Sequence, residues 1–315
     1  MTETRHPLPS ERDRVIDSAG VPIAIRDFGG EGPPVLLLHG LGGTLEDWAP
    51  VAPLLTPHRR AVAVDLRNSG HSGDGPWEWD AVLGDIEAVA AAIGEPEPAV
   101  VGASIGGMIA VLWGERHPRC PGAVNLDGHP VLGVAQRHPG LDPDRAAEQR
   151  EGLAAAFSAM EAQRADPLGP DAAEALAEAA RAAARRIGAS EASFAASVYR
   201  NLTAADGAGH RFQRPLPEPL ARIRRAMEEL DIFAAYERTR ARTLAVLATE
   251  DTPGQGPFAD LMAAHRRGVD EALAAIARES PHVRAAHLAG GHALLAERPA
   301  DVARLALDFL AGHDG

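Results

Sequence analysis

Ser104 stands in Gly102-Ala103-Ser104-Ile105-Gly106, directly behind the apolar run Pro98–Val101 and ahead of a second apolar run, "GGMIAVLWGERH". A buried strand, a turn of small residues and a helix have two chemical uses. The turn can cradle a phosphate on the helix N-terminus, or it can hold a strained serine whose hydroxyl protrudes above the sheet. The pentapeptide alone leaves both open. His39-Gly40-Leu41-Gly42-Gly43 follows another buried run, "PPVLLL". Such a loop supplies backbone N–H groups, and those of Leu41 and Ile105 together would hold an oxyanion. One donor of this kind contributes about 3–4 kcal/mol to an acyl-transfer transition state. His39 itself reads as a hydrogen-bonding support for the loop. His292, in "LAGGHALLAERPADV", lies in a Gly-rich loop between the last expected strand and the last expected helix. Imidazole is the side chain suited to take a serine proton near neutrality. Two carboxylates stand between Ser104 and His292 at expected strand ends: Asp127 in "GAVNLDG" and Asp251 in "TLAVLATED". Glu250 should point the other way from Asp251.

These residues need a scaffold that brings several strand ends to one edge. Residues 14–19 and 21–28 read as a hairpin around Gly20. Short apolar runs at 33–40, 60–67, 98–104, 122–127, 242–251 and 283–290 are of the type buried on both faces of a parallel sheet. Helical segments at 77–94, 106–117 and the C-terminus alternate with them, which predicts an α/β fold with helices on both faces. From 129 to 238 the pattern changes to Ala, Glu and Arg at helical spacing, punctuated by Gly and Pro. The expected organisation is therefore a core of 1–128 and 239–315, interrupted by a helical cap of 129–238.

The composition of the 315 residues narrows the chemistry. The formal charge of −13 argues against nucleic acid or an anionic membrane as partner. All 31 cationic side chains are Arg. The absence of Lys excludes a Schiff-base lysine, a pyridoxal-phosphate anchor and a P-loop lysine. The single cysteine, Cys120, forms no internal disulfide and reads as a buried thiol. The N-terminus is polar, and no apolar run approaches the roughly 18 residues of a membrane span. A cytoplasmic protein is expected, its oligomeric state left open.

Taken together, HGLGG (39–43), DLRNSGHS (65–72), GASIGG (102–107), the strand ending in Asp251, GGH (290–292) and ERP (297–299) resemble the α/β-hydrolase family in its cap-bearing form. The resemblance spans nearly the whole chain, in the family's order. It departs at Asn68-Ser69, in a loop, and in the long interval from Asp251 to His292. It implies a Ser104–His292–acid triad with Leu41 and Ile105 as oxyanion donors. Asp251 is the preferred acid and Asp127 the alternative, used by some relatives. A serine at the nucleophile position implies attack on an acyl carbon. The resemblance thus implies a serine hydrolase of a small or medium ester or lactone, with no metal or organic cofactor. The same machinery serves C–C hydrolases, thioesterases and perhydrolases, and some proteins of this fold bind small molecules or catalyse non-hydrolytic biosynthetic steps. Gly40, Trp48, His129, Phe157 and Phe194 are the candidate substrate contacts. Arg211 and Arg214 in "GHRFQRP" offer charge for an anionic group, but read first as a solvated loop.

Overall fold

A computed structural model describes residues 12–250 and 256–312. Eight strands form one sheet: β1 (Asp13–Ser18), β2 (Val21–Gly29), β3 (Pro34–Leu38), β4 (Arg60–Val64), β5 (Ala99–Ala103), β6 (Ala123–Leu126), β7 (Thr243–Ala248) and β8 (Val283–Leu288). Their spatial order is β1-β2-β4-β3-β5-β6-β7-β8. β2 runs antiparallel to both β1 and β4, and every other pairing is parallel. The hairpin expected around Gly20 is present. Ala19 and Gly20 both take positive φ, 49° and 85°, the geometry of a two-residue turn that matches strand twist.

The helices are α1 (Ala52–Leu55), α2 (Trp79–Ile93), α3 (Ile105–Arg116), α4 (Pro143–Gln163), α5 (Pro170–Ile187), α6 (Glu191–Arg200), α7 (Pro217–Glu229), α8 (Ile232–Arg238), α9 (Ala259–Glu279), α10 (Leu294–Glu297) and α11 (Pro299–Leu310). The continuous apolarity of β3 has a direct cause. Leu36 and Leu38 pack into the cluster formed with α2, α3, α8 and α9, whereas Val35 and Leu37 pack into the one formed with α1 and α11. Alternate side chains face opposite layers, so both sets must be apolar. Cys120 is buried at 4% exposure, and burial pushes its thiol up to about 11. No helix among the described residues is long and apolar enough to cross a membrane.

The connection from β6 to β7 contains α4 to α8 and, among its described residues, no strand, only two isolated bridges. The division differs from expectation at one end. The expected cap, 129–238, takes in α8, whose Ile232, Ala235 and Tyr236 are fully buried in the same cluster as α3. It packs with the core immediately ahead of β7. By contrast α4 has no buried residue. Part of the insertion docks firmly on the core through α6. There Arg200 bonds Asp65 and Asp13, Ser197 bonds Thr44 and Asp47, and Asn201 bonds the carbonyl of Gly42 and the N–H of Gly70.

Candidate active site

The order of strands reverses at β3, whose neighbours are β4 on one side and β5 on the other. Loops leaving β3 and β5 therefore diverge around a crevice, the usual place for a ligand on an open parallel sheet. His39–Gly43 follows β3, and Ser104 follows β5.

Ser104 has φ 54° and ψ −119°, a strained backbone for a residue with a side chain. The neighbouring glycines make this turn possible. A Cβ on Gly102 would collide with the carbonyl of Gly106, and one on Gly106 with the carbonyl of Leu38. The backbone of Ser104 is tied at both ends: its N–H donates to Leu126 O at 2.9 Å, and its C=O accepts from Met108 N at 3.1 Å. α3 begins immediately after it, so the N–H of Ile105 belongs to a helix N-terminus, where negative charge is favoured.

His292 brings the serine and a carboxylate into one line. Its Nδ1 lies 2.7 Å from Asp127 Oδ2, and its Nε2 lies 3.1 Å from Ser104 Oγ. The carboxylate is an acceptor, so Nδ1 carries the proton and the bare Nε2 accepts from the Ser104 hydroxyl. Asp127 itself is fixed across the sheet. Its Oδ1 accepts from Ala248 N at 3.0 Å, and its N–H donates to Val246 O at 2.8 Å. Burial alone would raise the Asp127 carboxyl. The hydrogen bond and charge of His292, with the Ala248 N–H, outweigh that and hold it below the ordinary carboxylate value. Burial likewise pulls the His292 imidazole down, but the Asp127 bond and charge leave it above the ordinary value. The loop bearing His292 is anchored by Glu297, which accepts from Gly291 N at 2.6 Å.

The oxyanion loop is oriented from below. Leu66 N donates to His39 Nε2 at 3.0 Å, which puts the ring proton on Nδ1, and Nδ1 donates to Gly40 O at 2.7 Å. Gly43 N donates to the same carbonyl at 3.0 Å. In a trans peptide the N–H points opposite the C=O. Pinning Gly40 O therefore turns the N–H of Leu41 the other way. A Cβ on Gly40 would lie 3.4 Å from Ser104 Cβ, so this loop abuts the serine directly.

A cavity of about 420 Å³ opens over these groups. Ser104, His292, Asp127, Leu41, His129 and Phe157 all line it. Three expected contacts are not part of this wall. Gly40 abuts Ser104 from the loop after β3 but does not line the cavity. Trp48 is fully buried beneath the sheet, because the short turn Leu45–Trp48 directs it into the cluster with Val35 and Leu37. Phe194 sits on α6, the helix docked against the loop after β3, and it is not part of the cavity wall. Of the two expected acids, the alternative, Asp127, makes the hydrogen bond to His292, and the preferred one, Asp251, lies outside the described residues.

Met160 of α4 and Met227 of α7, apolar residues of the helical insertion and so open to a pocket role from the sequence, face the cavity. Met108 from α3 and Met262, His265 and Val269 from α9 also line it and carried no signal in the sequence. His265 looks like one histidine of an amphipathic helix, and only the packing of α9 puts it here. Beneath His129, Asn125 Nδ2 donates to Tyr236 OH at 2.8 Å, and that hydroxyl lies 3.2 Å from His129 Nε2. Burial depresses His129 to about 4 and His265 to about 3. Both are therefore neutral hydrogen-bonding rings near pH 7. Among the described residues no group of three or more His, Cys, Asp or Glu is placed to hold a metal ion.

The sheet order, the elbow at Ser104 and the β6–β7 insertion are those of the α/β-hydrolase fold. Residues 33–166 match the family model described as "alpha/beta hydrolase fold". Pimeloyl-[acyl-carrier protein] methyl ester esterase of Methylococcus capsulatus is 39% identical over 120 residues, a stretch that spans 36% of this chain and 44% of that protein. The chain thus matches under half the length of this curated relative. E-2-(acetamidomethylene)succinate hydrolase superposes with a TM-score of 0.65 at 17% identity, covering 95% of this chain and 98% of the other. A thioesterase domain from the curacin biosynthetic pathway gives 0.66 at 18%, covering 94% and 98%. At these identities the two structures speak for the fold alone.

Proposed function

We propose that this chain is a serine hydrolase that cleaves carboxylic esters or lactones of small to medium acyl groups through an acyl-enzyme. The observation that carries the reading is the unbroken line Asp127–His292–Ser104 at 2.7 and 3.1 Å, opening into the cavity. Similarity to a protein named a methyl ester esterase supports the same class of bond.

In the proposed reaction Ser104 Oγ attacks the acyl carbon while its proton passes to His292 Nε2. The carbonyl π pair moves onto oxygen, which the N–H groups of Leu41 and Ile105 stabilise. Asp127 does not take a proton; it holds the ring in one tautomer and stabilises the imidazolium. Collapse of the tetrahedral species breaks the C–O bond, and His292 gives its proton to the departing alkoxide. Water then repeats the sequence, returning Ser104 and releasing the acid. The apolar wall, Phe157 and Met160 among it, receives the acyl or alcohol chain.

The test is labelling with a fluorophosphonate. Wild type should be modified once, at Ser104, and should hydrolyse p-nitrophenyl acyl esters with a burst of nitrophenol. Ser104→Ala should lose both properties while keeping its melting temperature. Undiminished labelling of the alanine variant would overturn the reading.

A further inference from the structure

The cavity is mostly apolar, yet Arg164 sits in its wall beside the loop after β3. A Cβ on Gly42 would lie 3.1 Å from Arg164 Nη2, so the guanidinium rests against the residue that follows Leu41. Its Nη1 donates to two backbone carbonyls, Arg214 O at 2.6 Å and Pro215 O at 3.4 Å. These are neutral acceptors, and among the described residues no carboxylate pairs with it. Burial lowers its pKa with no opposing contribution from a nearby acid. The other arginines differ. Arg224 shares the cavity wall, but its charge is taken by Glu161 at 2.5 Å and Glu228 at 2.9 Å. Arg266 also lines the wall. Arg214, in the stretch expected to be a solvated loop, is buried and spent on Gly70 O, Ser72 O and Asp74. A half-buried, uncompensated guanidinium is costly to keep, and it has planar donors suited to a carboxylate.

Resting on the serine-hydrolase reading, we infer that Arg164 is a specificity determinant that receives an anionic group, a carboxylate, on the substrate's acyl or alcohol part. The charge is held next to the oxyanion loop and the chain runs along the apolar wall. The preferred substrates are then monoesters of dicarboxylic acids, or esters of similarly charged acyl groups, over neutral esters of equal size.

The experiment compares monomethyl succinate, glutarate and adipate with their dimethyl esters. Wild type should favour the charged monoester in kcat/KM at one or more of these lengths. Arg164→Gln should lower the monoester-to-diester ratio by about 10- to 100-fold, mainly through KM, the effect expected for losing a hydrogen bond to a charged group. Arg164→Lys, which keeps the charge without the fork, should recover part of the ratio. It also guards against loss of the Arg214 and Pro215 contacts, since both variants are compared by melting temperature. A wild type labelled at Ser104 but indifferent to substrate charge would overturn the inference and leave the hydrolase reading standing. So would parallel losses on both ester types in Arg164→Gln. An unlabelled wild type would instead sink the hydrolase reading. Anion binding is then read by calorimetry of the three monoesters on Ser104→Ala with and without Arg164→Gln. Equal binding to both proteins overturns the inference, and binding lost with the arginine supports it.

Discussion

Asp127 and His292 are 165 positions apart and 2.7 Å from each other. The contact joins the end of β6 to the loop after β8 across the end of β7, which lies between them in the sheet. Asp127 reaches that far because its backbone takes a positive φ of 56° and its second oxygen is held by Ala248 N on β7.

The first prediction is that Asp127→Asn abolishes most turnover while Asp251→Asn keeps most of it. The amide keeps an oxygen acceptor for Ala248 N, so the fold should survive. It can instead present N–H to His292, which stabilises the wrong tautomer. A change of this type costs about 10⁴ in kcat in serine proteases. Burst kinetics on a p-nitrophenyl ester would measure it. The opposite ranking would return the acid to the position after β7.

Why the sequence leaves two candidate acids follows from the sheet. β6 and β7 are adjacent and parallel, so their C-terminal ends emerge side by side, and the sequence shows a carboxylate after each. Chain order cannot separate them; a backbone angle and one N–H bond do. Ser104 and His292 were legible because each stands in a local pattern with its own physical reason: glycines forced by close approach, and a loop between strand and helix. The core strands were legible because both faces are covered. The cap was legible as helix but not as surface. In α6, Ser197 and Arg200 decide which face docks, so Phe194 on that helix could not be placed from its type. Trp48 is a similar case, since an aromatic near a motif can face the ligand or the sheet. Arg164 is one of 31 arginines and lies at the end of an Ala-rich helix, so nothing local distinguishes it.

The second prediction concerns pH. Burial would lower the His292 imidazole, but the Asp127 bond and charge raise it above its ordinary value. Catalysis needs the neutral ring, so kcat/KM on an uncharged ester should rise through an apparent pKa above that of free imidazole. The stability contributed by the imidazolium–carboxylate pair runs the other way. It is complete below the unfolded value and is lost as pH rises through the folded one. Activity should therefore grow over the interval in which this contribution fades. His129, near 4, and His265, near 3, do not titrate there, because burial keeps both neutral. Asp127→Asn should move the acid limb downward. An unchanged limb in its residual activity would mean that the limb belongs to another group.

The third prediction tests how the insertion is fastened. Arg200, on α6, is 5% exposed, and its guanidinium bridges Asp65 through Nε and Asp13 through Nη1, each at 2.7 Å. Asp65 is fully buried and also accepts from Leu45 N at 2.8 Å and His71 N at 2.9 Å, which ties it to the loops after β3 and β4. Asp13 shares its charge with Arg26, which reaches Glu46 as well. Burial would raise the Asp13 carboxyl, but its bonds to Arg26 and Arg200 hold it below the ordinary value. Its share of stability is thus present above the unfolded carboxylate pKa and is lost as pH falls through the folded one. Assembling such a network from water has little net benefit, because desolvation offsets most of the attraction. Removing one member is different, since it strands the rest as buried charge. Arg200→Met preserves much of the side chain's bulk and removes the charge, and should cost about 3–5 kcal/mol in urea unfolding. Arg200→Lys should recover only part, because a single ammonium cannot reproduce the two-sided fork. The neighbouring bonds from Asn201 to Gly42 O and Gly70 N depend on α6 staying docked. Arg200→Met should therefore also expose α5 and α6 to limited proteolysis before the sheet unfolds. A loss below about 1 kcal/mol, the range of exposed ion pairs, would mean that the network is solvated and that α6 is held by its hydroxyl and amide contacts instead.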